Sequence, residues 1–141
     1  MSLKKSMRNA GLIGIMLASG LANAAASPFT GVFSGQGRGC WGKLYVRERT
    51  IEWNTPYSIC SKTSYTVVQS SLNSKSPHIA FALNRKSKAC RYKLIELSFD
   101  PEYPDYWQAS GYQSRKDFDN RKTATEAAKL RTLSCSVQKV D

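Results

Sequence analysis

Short segments in which apolar and polar residues alternate recur along most of this chain. In residues 41–48, Leu44 and Val46 fall on one face and polar or aromatic residues fall on the other. A period of two is the side-chain repeat of a β-strand with one buried face. Residues 50–53 repeat the pattern after a short polar stretch, so the two segments together predict a β-hairpin.

Six further segments have the same character and are separated by Gly, Pro, Asn and Ser. They span residues 57–60, 65–69, 78–83, 91–99, 106–112 and 133–140. In the segment 91–99 the apolar phase slips between Leu94 and Ile95, which predicts either a bulge or burial of both faces. About eight short strands are therefore expected.

Helical signals are confined to one short segment near the C-terminus, residues 123–131. Thr123 and Glu126 have the spacing of a capping box, whereas residues 115–121 are polar and suggest no regular structure. The predicted fold class is all-β: a small antiparallel β-barrel, or alternatively a two-sheet sandwich. We favour the barrel because closure removes the unpaired edges of a sheet.

The first 24 residues are typical of a secretory signal peptide. Lys4, Lys5 and Arg8 precede an uncharged apolar run over residues 10–22, which is shorter than the roughly 20 residues that a membrane-spanning helix needs. The small-x-small pattern ending at Ala24 predicts cleavage there. We therefore expect residues 25–141 to form one domain in the bacterial periplasm or outside the cell.

Four cysteines follow this segment, and an even number in an oxidising compartment predicts two disulfides. Three pairings are possible. Cys40–Cys60 and Cys90–Cys135 are favoured here, because the first would join neighbouring strands and the second would tie the C-terminal segment to the middle of the domain. The chain has no Cys-x-x-Cys and a single histidine, His78, so no metal or other cofactor is expected.

Basic residues outnumber acidic residues throughout the predicted mature chain. Eighteen of the 21 Lys and Arg residues and all 10 acidic residues lie after Ala24, which leaves a net charge of +8. Such a charge attracts anionic partners, including envelope polymers, acidic lipid or an acidic protein. The densest basic stretches are residues 85–93 and 115–122. No sequence-specific nucleic-acid motif is present, and we expect a monomer.

Two groups of residues are candidates for ligand binding. In the first, Lys43, Tyr45 and Arg47 share one face of a predicted strand, where stacking and charge-assisted hydrogen bonds are available to a sugar, a phosphate or an acidic peptide. The second group lies in and beside a proline-stiffened loop, which would present aromatic rings at low entropic cost. Its members are Tyr103, Tyr106, Trp107 and Tyr112. For Trp107 the alternative is a structural role in closing the barrel end.

Catalytic patterns are weak by comparison. No nucleophile-elbow motif accompanies His78, and the paired carboxylates, such as Glu102 and Asp105, fall in predicted loops rather than in buried positions that raise a carboxyl pKa. A glycine-rich stretch at residues 35–39 precedes a strand rather than a helix, so it does not predict a phosphate-binding loop.

The hypothesis is an exported, non-catalytic binding protein of the bacterial envelope, with an anionic envelope component or a protein as its ligand. One alternative is a secreted enzyme inhibitor, since the predicted architecture is similar in kind to small periplasmic lysozyme inhibitors. Within that alternative, residues 110–112 (Ser-Gly-Tyr) resemble the Ser-Gly-rich loop of those inhibitors. A second alternative is a small hydrolase that uses His78 or a loop carboxylate.

Overall fold

The computed structural model describes residues 28–141, so the predicted signal peptide and its cleavage site lie outside the described residues. Eight strands account for most of this part of the chain. They are β1 (Gly31–Gly35), β2 (Gly42–Val46), β3 (Thr50–Thr55), β4 (Ser58–Ser71), β5 (His78–Leu83), β6 (Leu94–Phe99), β7 (Trp107–Tyr112) and β8 (Leu133–Lys139). Two short helices, α1 (Arg115–Asp119) and α2 (Glu126–Leu130), flank a 3₁₀ turn at Arg121–Thr123.

The strands form a closed antiparallel barrel in sequence order, and β8 returns to pair with β1. The all-β prediction is confirmed, and the closure decides between barrel and sandwich. Closure at the register Gly35 opposite Val137 leaves no unpaired strand edge in the barrel.

Large side chains fill the barrel interior. The predicted inward residues of the first hairpin, among them Leu44 and Trp53, are fully or almost fully buried. They pack with Phe33, Phe81 and Ile95, each with no exposed surface. The alternation read from the sequence therefore identified the core face correctly, and the core leaves the outer wall and the ends of the barrel for ligand contact.

Strand β6 is buried on both faces, which is one of the two outcomes predicted from its phase slip. Ile95 and Leu97 point into the barrel, whereas Leu94 and Glu96 are covered on the outside. The cover comes from Phe118 of α1, which packs against Leu94 in a second, smaller apolar cluster.

Two glycines permit close approaches that a side chain would block. Gly42 has a φ of 138°, and a Cβ there would lie 1.9 Å from the backbone oxygen of Asn54. A Cβ at Gly111 would lie 2.6 Å from the ring of Tyr92, which is buried against Trp53 inside the barrel. Both positions therefore exclude larger residues.

In an up-and-down barrel, successive connections alternate between the two ends. We call the end that carries the connections β1–β2, β3–β4, β5–β6 and β7–β8 the disulfide end, because both disulfides lie there. The opposite end carries the other three connections, including the loop of residues 100–106.

The predicted cysteine pairing is wrong. The disulfides are Cys40–Cys135, with Cα atoms 5.6 Å apart, and Cys60–Cys90, with Cα atoms 4.4 Å apart. The prediction assumed that Cys40 and Cys60 lie on neighbouring strands, but β3 separates β2 from β4. Closure of β1 against β8 instead brings Cys40 beside Cys135.

The helical prediction is partly correct: α2 lies within the predicted segment 123–131, but residues 123–125 are not α-helical and α1 was not predicted. The N-cap of α2 is Thr125, whose hydroxyl accepts from the Ala128 N–H at 3.2 Å, so the predicted capping box at Thr123 is wrong. Residues 115–121, expected to be irregular, contain α1, where the Ser114 hydroxyl caps the helix by accepting from the Asp117 N–H. Several Ser and Thr residues in this part of the chain could each act as the N-cap of a helix. Local sequence does not select among them, and the tertiary packing does.

Candidate functional site

In the first candidate group, Lys43 and Tyr45 lie on one outer face of β2 and Arg47 directly follows the strand, but the charge of the group is partly compensated. The Arg47 guanidinium lies 4.9 Å from the centre of the Tyr45 ring. It also forms an ion pair with Glu52 at 3.4 Å, and Glu52 sits directly opposite Tyr45 on β3. Lys43 is exposed and makes no ion pair among the described residues. This face therefore offers an anion less positive charge than its sequence suggests.

Three members of the second group come together in one depression. Tyr103, Tyr106 and Trp107 line a cavity of about 340 Å³ where the loop 100–106 meets the outer wall of the barrel. Its other polar lining groups include Asp100, Gln108 and Gln36. We call this cavity the aromatic groove.

The loop that carries the tyrosines is held by its own hydrogen bonds. The Tyr103 N–H donates to the Asp100 carbonyl at 3.0 Å, and the Tyr106 N–H donates to the Tyr103 carbonyl at 2.9 Å. The Asp100 carboxylate also accepts from the Glu102 N–H at 2.9 Å. Two consecutive turns with prolines at positions 101 and 104 therefore set the backbone that presents the rings.

Trp107 lines the aromatic groove and also has the structural role that was its alternative, which is to close the end of the barrel. Its ring centroid lies 5.2 Å from that of Phe99, 5.5 Å from that of Phe29 and 5.9 Å from that of Phe33. This aromatic cluster closes the interior at the opposite end of the barrel, and Trp107 is also part of the groove wall. The packing fixes the indole in place before any ligand arrives.

Tyr112 does not join this group, because it lies on the outer wall beneath α1 with only 5% of its surface exposed. Its hydroxyl donates to the buried Glu96 carboxylate at 3.0 Å. Burial, reinforced by the negative charge of Glu96, raises the pKa of Tyr112 far above its ordinary value, so the phenol keeps its proton. Arg121 completes the network with an ion pair to Glu96 at 3.1 Å.

The residues behind the two alternative hypotheses are also located. Ser110 and Tyr112 are buried within β7, so the Ser-Gly-Tyr segment is not an exposed loop. His78 begins β5 opposite Ser71 and Ser98 and makes no hydrogen bond to a carboxylate among the described residues. In the same part of the chain, no three His, Cys, Asp or Glu side chains form a group able to hold a metal ion.

A third site was not among the predicted ones. Lys86, Lys93 and Arg115 line a groove of about 450 Å³ on the outside of the barrel, with Asn84 beside them and Ala82, Leu83 and Leu94 among the remaining lining residues. No carboxylate belongs to the described lining of this basic groove. The two densest basic stretches of the sequence supply its cations, but only the fold brings Arg115 beside Lys93.

The basic groove belongs to a wider pattern of charge at the disulfide end. Three of its four connections, residues 36–41, 56–57 and 84–93, contain six cations and no acid, whereas the fourth, residues 113–132, contains six cations and three acids. None of the six cations of the first three connections forms an ion pair among the described residues, although the Lys86 ammonium donates to the Cys90 carbonyl at 2.6 Å. The connections of the opposite end contain three cations and four acids, and three of those acids lie in the loop 100–106. The positive charge is thus unevenly distributed over the barrel.

No helix in the described part of the chain is long and apolar enough to span a membrane. No protein-family model matches the chain, and neither the curated proteins nor the solved structures contain a significant match.

Proposed function

We propose that this is a non-catalytic binding protein of the bacterial cell envelope that holds a phosphate-bearing envelope component in the basic groove. The observation that supports this most directly is the convergence of Lys86, Lys93 and Arg115 without a lining carboxylate. Three cations at one depression provide charge-assisted hydrogen bonds to phosphate oxygens.

The cations are placed by backbone that is itself fixed. Lys93 lies between β5 and β7: its carbonyl accepts from the Leu83 N–H, and its N–H donates to the Tyr112 carbonyl, each at 2.9 Å. The Cys60–Cys90 disulfide ties the same connection to β4. A site ordered in advance loses less entropy on binding.

Arg115 reaches the groove from α1. Its Nε contacts Asp119 at 3.0 Å, while its terminal nitrogens make no hydrogen bond within the described residues. Those nitrogens are the donors that a phosphate would accept from in a fork geometry. The apolar side chains beneath them suit the carbon skeleton of an amphiphile or sugar phosphate.

The two disulfides are compatible with the periplasm or the extracellular space, where disulfides persist. The predicted signal peptide supports the same compartment. Phosphate is the anionic group shared by lipopolysaccharide, teichoic acid and acidic phospholipids in that setting.

Binding to three purified probes tests the proposal and separates these sources of phosphate. The probes are lipopolysaccharide, polyglycerol phosphate teichoic acid, and vesicles of phosphatidylglycerol with phosphatidylcholine. We expect saturable binding to at least one probe, weakened when salt rises from about 0.05 M to about 0.5 M. Dephosphorylated lipopolysaccharide and pure phosphatidylcholine vesicles should not bind.

Charge-neutral variants localise the site. Lys93→Gln and Arg115→Gln should each weaken binding at least about tenfold, because a hydrogen bond to a charged group contributes about 1.5–3 kcal/mol. Lys122→Gln, which removes an exposed cation outside the groove lining, is the matched control and should have little effect. An equal loss in all three variants, or no binding to any probe, would refute the proposed function.

A further inference from the structure

We infer that the aromatic groove is a second, separate binding site that takes an uncharged saccharide. Its lining combines three aromatic side chains with amide and carboxylate groups, and it lies at the end of the loop 100–106 rather than in the basic groove. The inference does not depend on the proposed phosphate site.

The electrostatics exclude the ligand class proposed for the basic groove. No cation lines the aromatic groove among the described residues, and Asp100 contributes a carboxylate. Glu102 and Asp105 lie in the same loop and are exposed. Phosphates would be repelled here, whereas neutral ligands would not.

The polar groups are suited to hydroxyl and acetamido groups. The side-chain amides of Gln36 and Gln108 make no hydrogen bond among the described residues, and only Oδ1 of Asp100 is engaged, by the Glu102 N–H. Amides both donate and accept, and a carboxylate accepts from hydroxyls. A saccharide ring presents such groups around its edge.

The aromatic rings are suited to the other surface of a sugar, its C–H faces. Tyr103 is 63% exposed and Tyr106 is 36% exposed, although both are large and partly apolar. Trp107 is fixed by the cluster that closes the barrel, and the two turns fix the tyrosines. Apolar walls with a few placed polar groups are typical of small-molecule sites, and 340 Å³ is near the lower end of their roughly 300–1,000 Å³ range.

A peptide strand fits the site less well. Peptides commonly bind a β protein by adding a strand to an open sheet edge, and closure of β1 against β8 leaves no such edge in the barrel. The groove therefore offers side chains, rather than backbone groups, to its ligand.

Calorimetric titration with uncharged N-acetylglucosamine tetramer and glucose tetramer tests the inference. We expect saturable binding of at least one tetramer, unchanged between about 0.05 M and about 0.5 M salt because no ion pair is involved. In NMR spectra of the labelled protein, the indole N–H signal of Trp107 should shift on titration.

Two tyrosine variants provide the localisation and its control. Tyr103→Ala and Tyr106→Ala should each weaken binding at least about fivefold through loss of ring contacts. Tyr57→Ala is the matched control, because Tyr57 is 62% exposed but lies at the disulfide end. Unchanged thermal unfolding would show that the variants remain folded.

Three results would overturn the inference: no binding of either tetramer, salt-sensitive binding, or equal weakening by Tyr57→Ala. Loss of tetramer binding in Tyr106→Ala with intact binding of phosphate probes would separate this site from the basic groove. Failure of the phosphate probes alone would leave the saccharide result standing.

Discussion

The two long connections at the disulfide end carry similar numbers of cations and arrange them differently. Residues 84–93 contain five cations and no acid, whereas residues 113–132 contain six cations and three acids. In the second connection four cations form ion pairs, including Arg131 with Asp117 at 2.9 Å and Arg121 with the buried Glu96 at 3.1 Å. In the first, none does so among the described residues.

The difference shows that counting basic residues does not locate an anion site. Among the four paired cations of the β7–β8 connection, Arg131 links the end of α2 to α1 and Arg121 attaches the connection to the barrel. The other two pair within their own helices. Cations of the β5–β6 connection form no ion pair among the described residues, so their charge remains available to a ligand. A disulfide and backbone hydrogen bonds hold this connection in place. Arg115 is an exception to this contrast. It belongs to the β7–β8 connection, whose cations are mostly ion-paired, and yet it lines the basic groove.

The largest expected effects come from removing the disulfides that flank the two connections. Replacing both Cys40 and Cys135 by Ala should cost about 4–5 kcal/mol of unfolding free energy, and replacing both Cys60 and Cys90 about 3–4 kcal/mol, because the first disulfide closes the longer loop. The sequence separations are 95 and 30. Urea unfolding measures both values.

We expect the reverse order for the loss of phosphate affinity. Removing Cys60–Cys90 should weaken phosphate binding more than removing Cys40–Cys135, because Cys60–Cys90 holds the connection 84–93. If the variant lacking Cys40–Cys135 lost more affinity for lipopolysaccharide while still folded, the assignment of the site to residues 84–93 would be wrong.

The next effect distinguishes a paired arginine from an unpaired one. Arg121→Ala should destabilise the protein by about 3 kcal/mol, because it leaves the Glu96 carboxylate buried without its partner. Only 7% of the Glu96 side chain is exposed. Arg85→Ala, an exposed arginine of the other connection, should change stability by less than about 0.5 kcal/mol. Similar losses in chemical denaturation would contradict the contrast.

Lowering the pH should reduce the stability that the β7–β8 connection contributes and should leave the contribution of the β5–β6 connection unchanged. The hydrogen bond from Arg131 lowers the pKa of Asp117 below its ordinary value of 3.8. A lowered carboxyl pKa gives stability that is present above the ordinary value and is lost as the pH falls through the folded-state value. The difference in melting temperature between the wild type and Arg131→Gln should therefore be largest near neutral pH and shrink below about pH 4.

The control for this titration is Arg91→Gln, which alters a connection without carboxylates. Its melting temperature should differ from that of the wild type by an amount that does not change over the same acidic range. A constant difference for Arg131→Gln as well would show that the Asp117 pair makes no pH-dependent contribution.

The smallest expected effect comes from a substitution that converts a paired cation into a free one. Asp119→Asn releases Arg115 from its 3.0 Å contact and should strengthen phosphate binding about twofold, within the range for an exposed ion pair. Glu126→Gln removes the partner of Lys129 away from the groove and should leave binding unchanged. Competition titrations resolve a change of this size, and weaker binding by Asp119→Asn would argue against a role for Arg115.

Local pattern was enough to identify most strands and their buried faces, but it missed β1 and divided β4 into two separate segments, 57–60 and 65–69. Alternation placed Leu44 and Trp53 inside, and the phase slip at Leu94 and Ile95 indicated the double burial that α1 produces. The capping position of α2 was missed because Thr123 and Thr125 are both acceptable locally.

The candidate sites were also only partly predictable, because local pattern does not show which other segments will cover a residue. Tyr103, Tyr106 and Trp107 are close in sequence, so a single loop keeps them together. Tyr112 follows Trp107 by five residues, and the alternation of β7 places it on the outer wall, where α1 covers it.

The sequence by itself determined the all-β class, the inward residues of most strands and the excess of positive charge, because these depend on local period and composition. The tertiary structure alone decided the closure of β1 on β8, the pairs Cys40–Cys135 and Cys60–Cys90, and the meeting of Lys93 with Arg115. The physical reason is that each of these is a contact between residues distant in sequence. Strand order and register set such distances, and neither is encoded in any single segment.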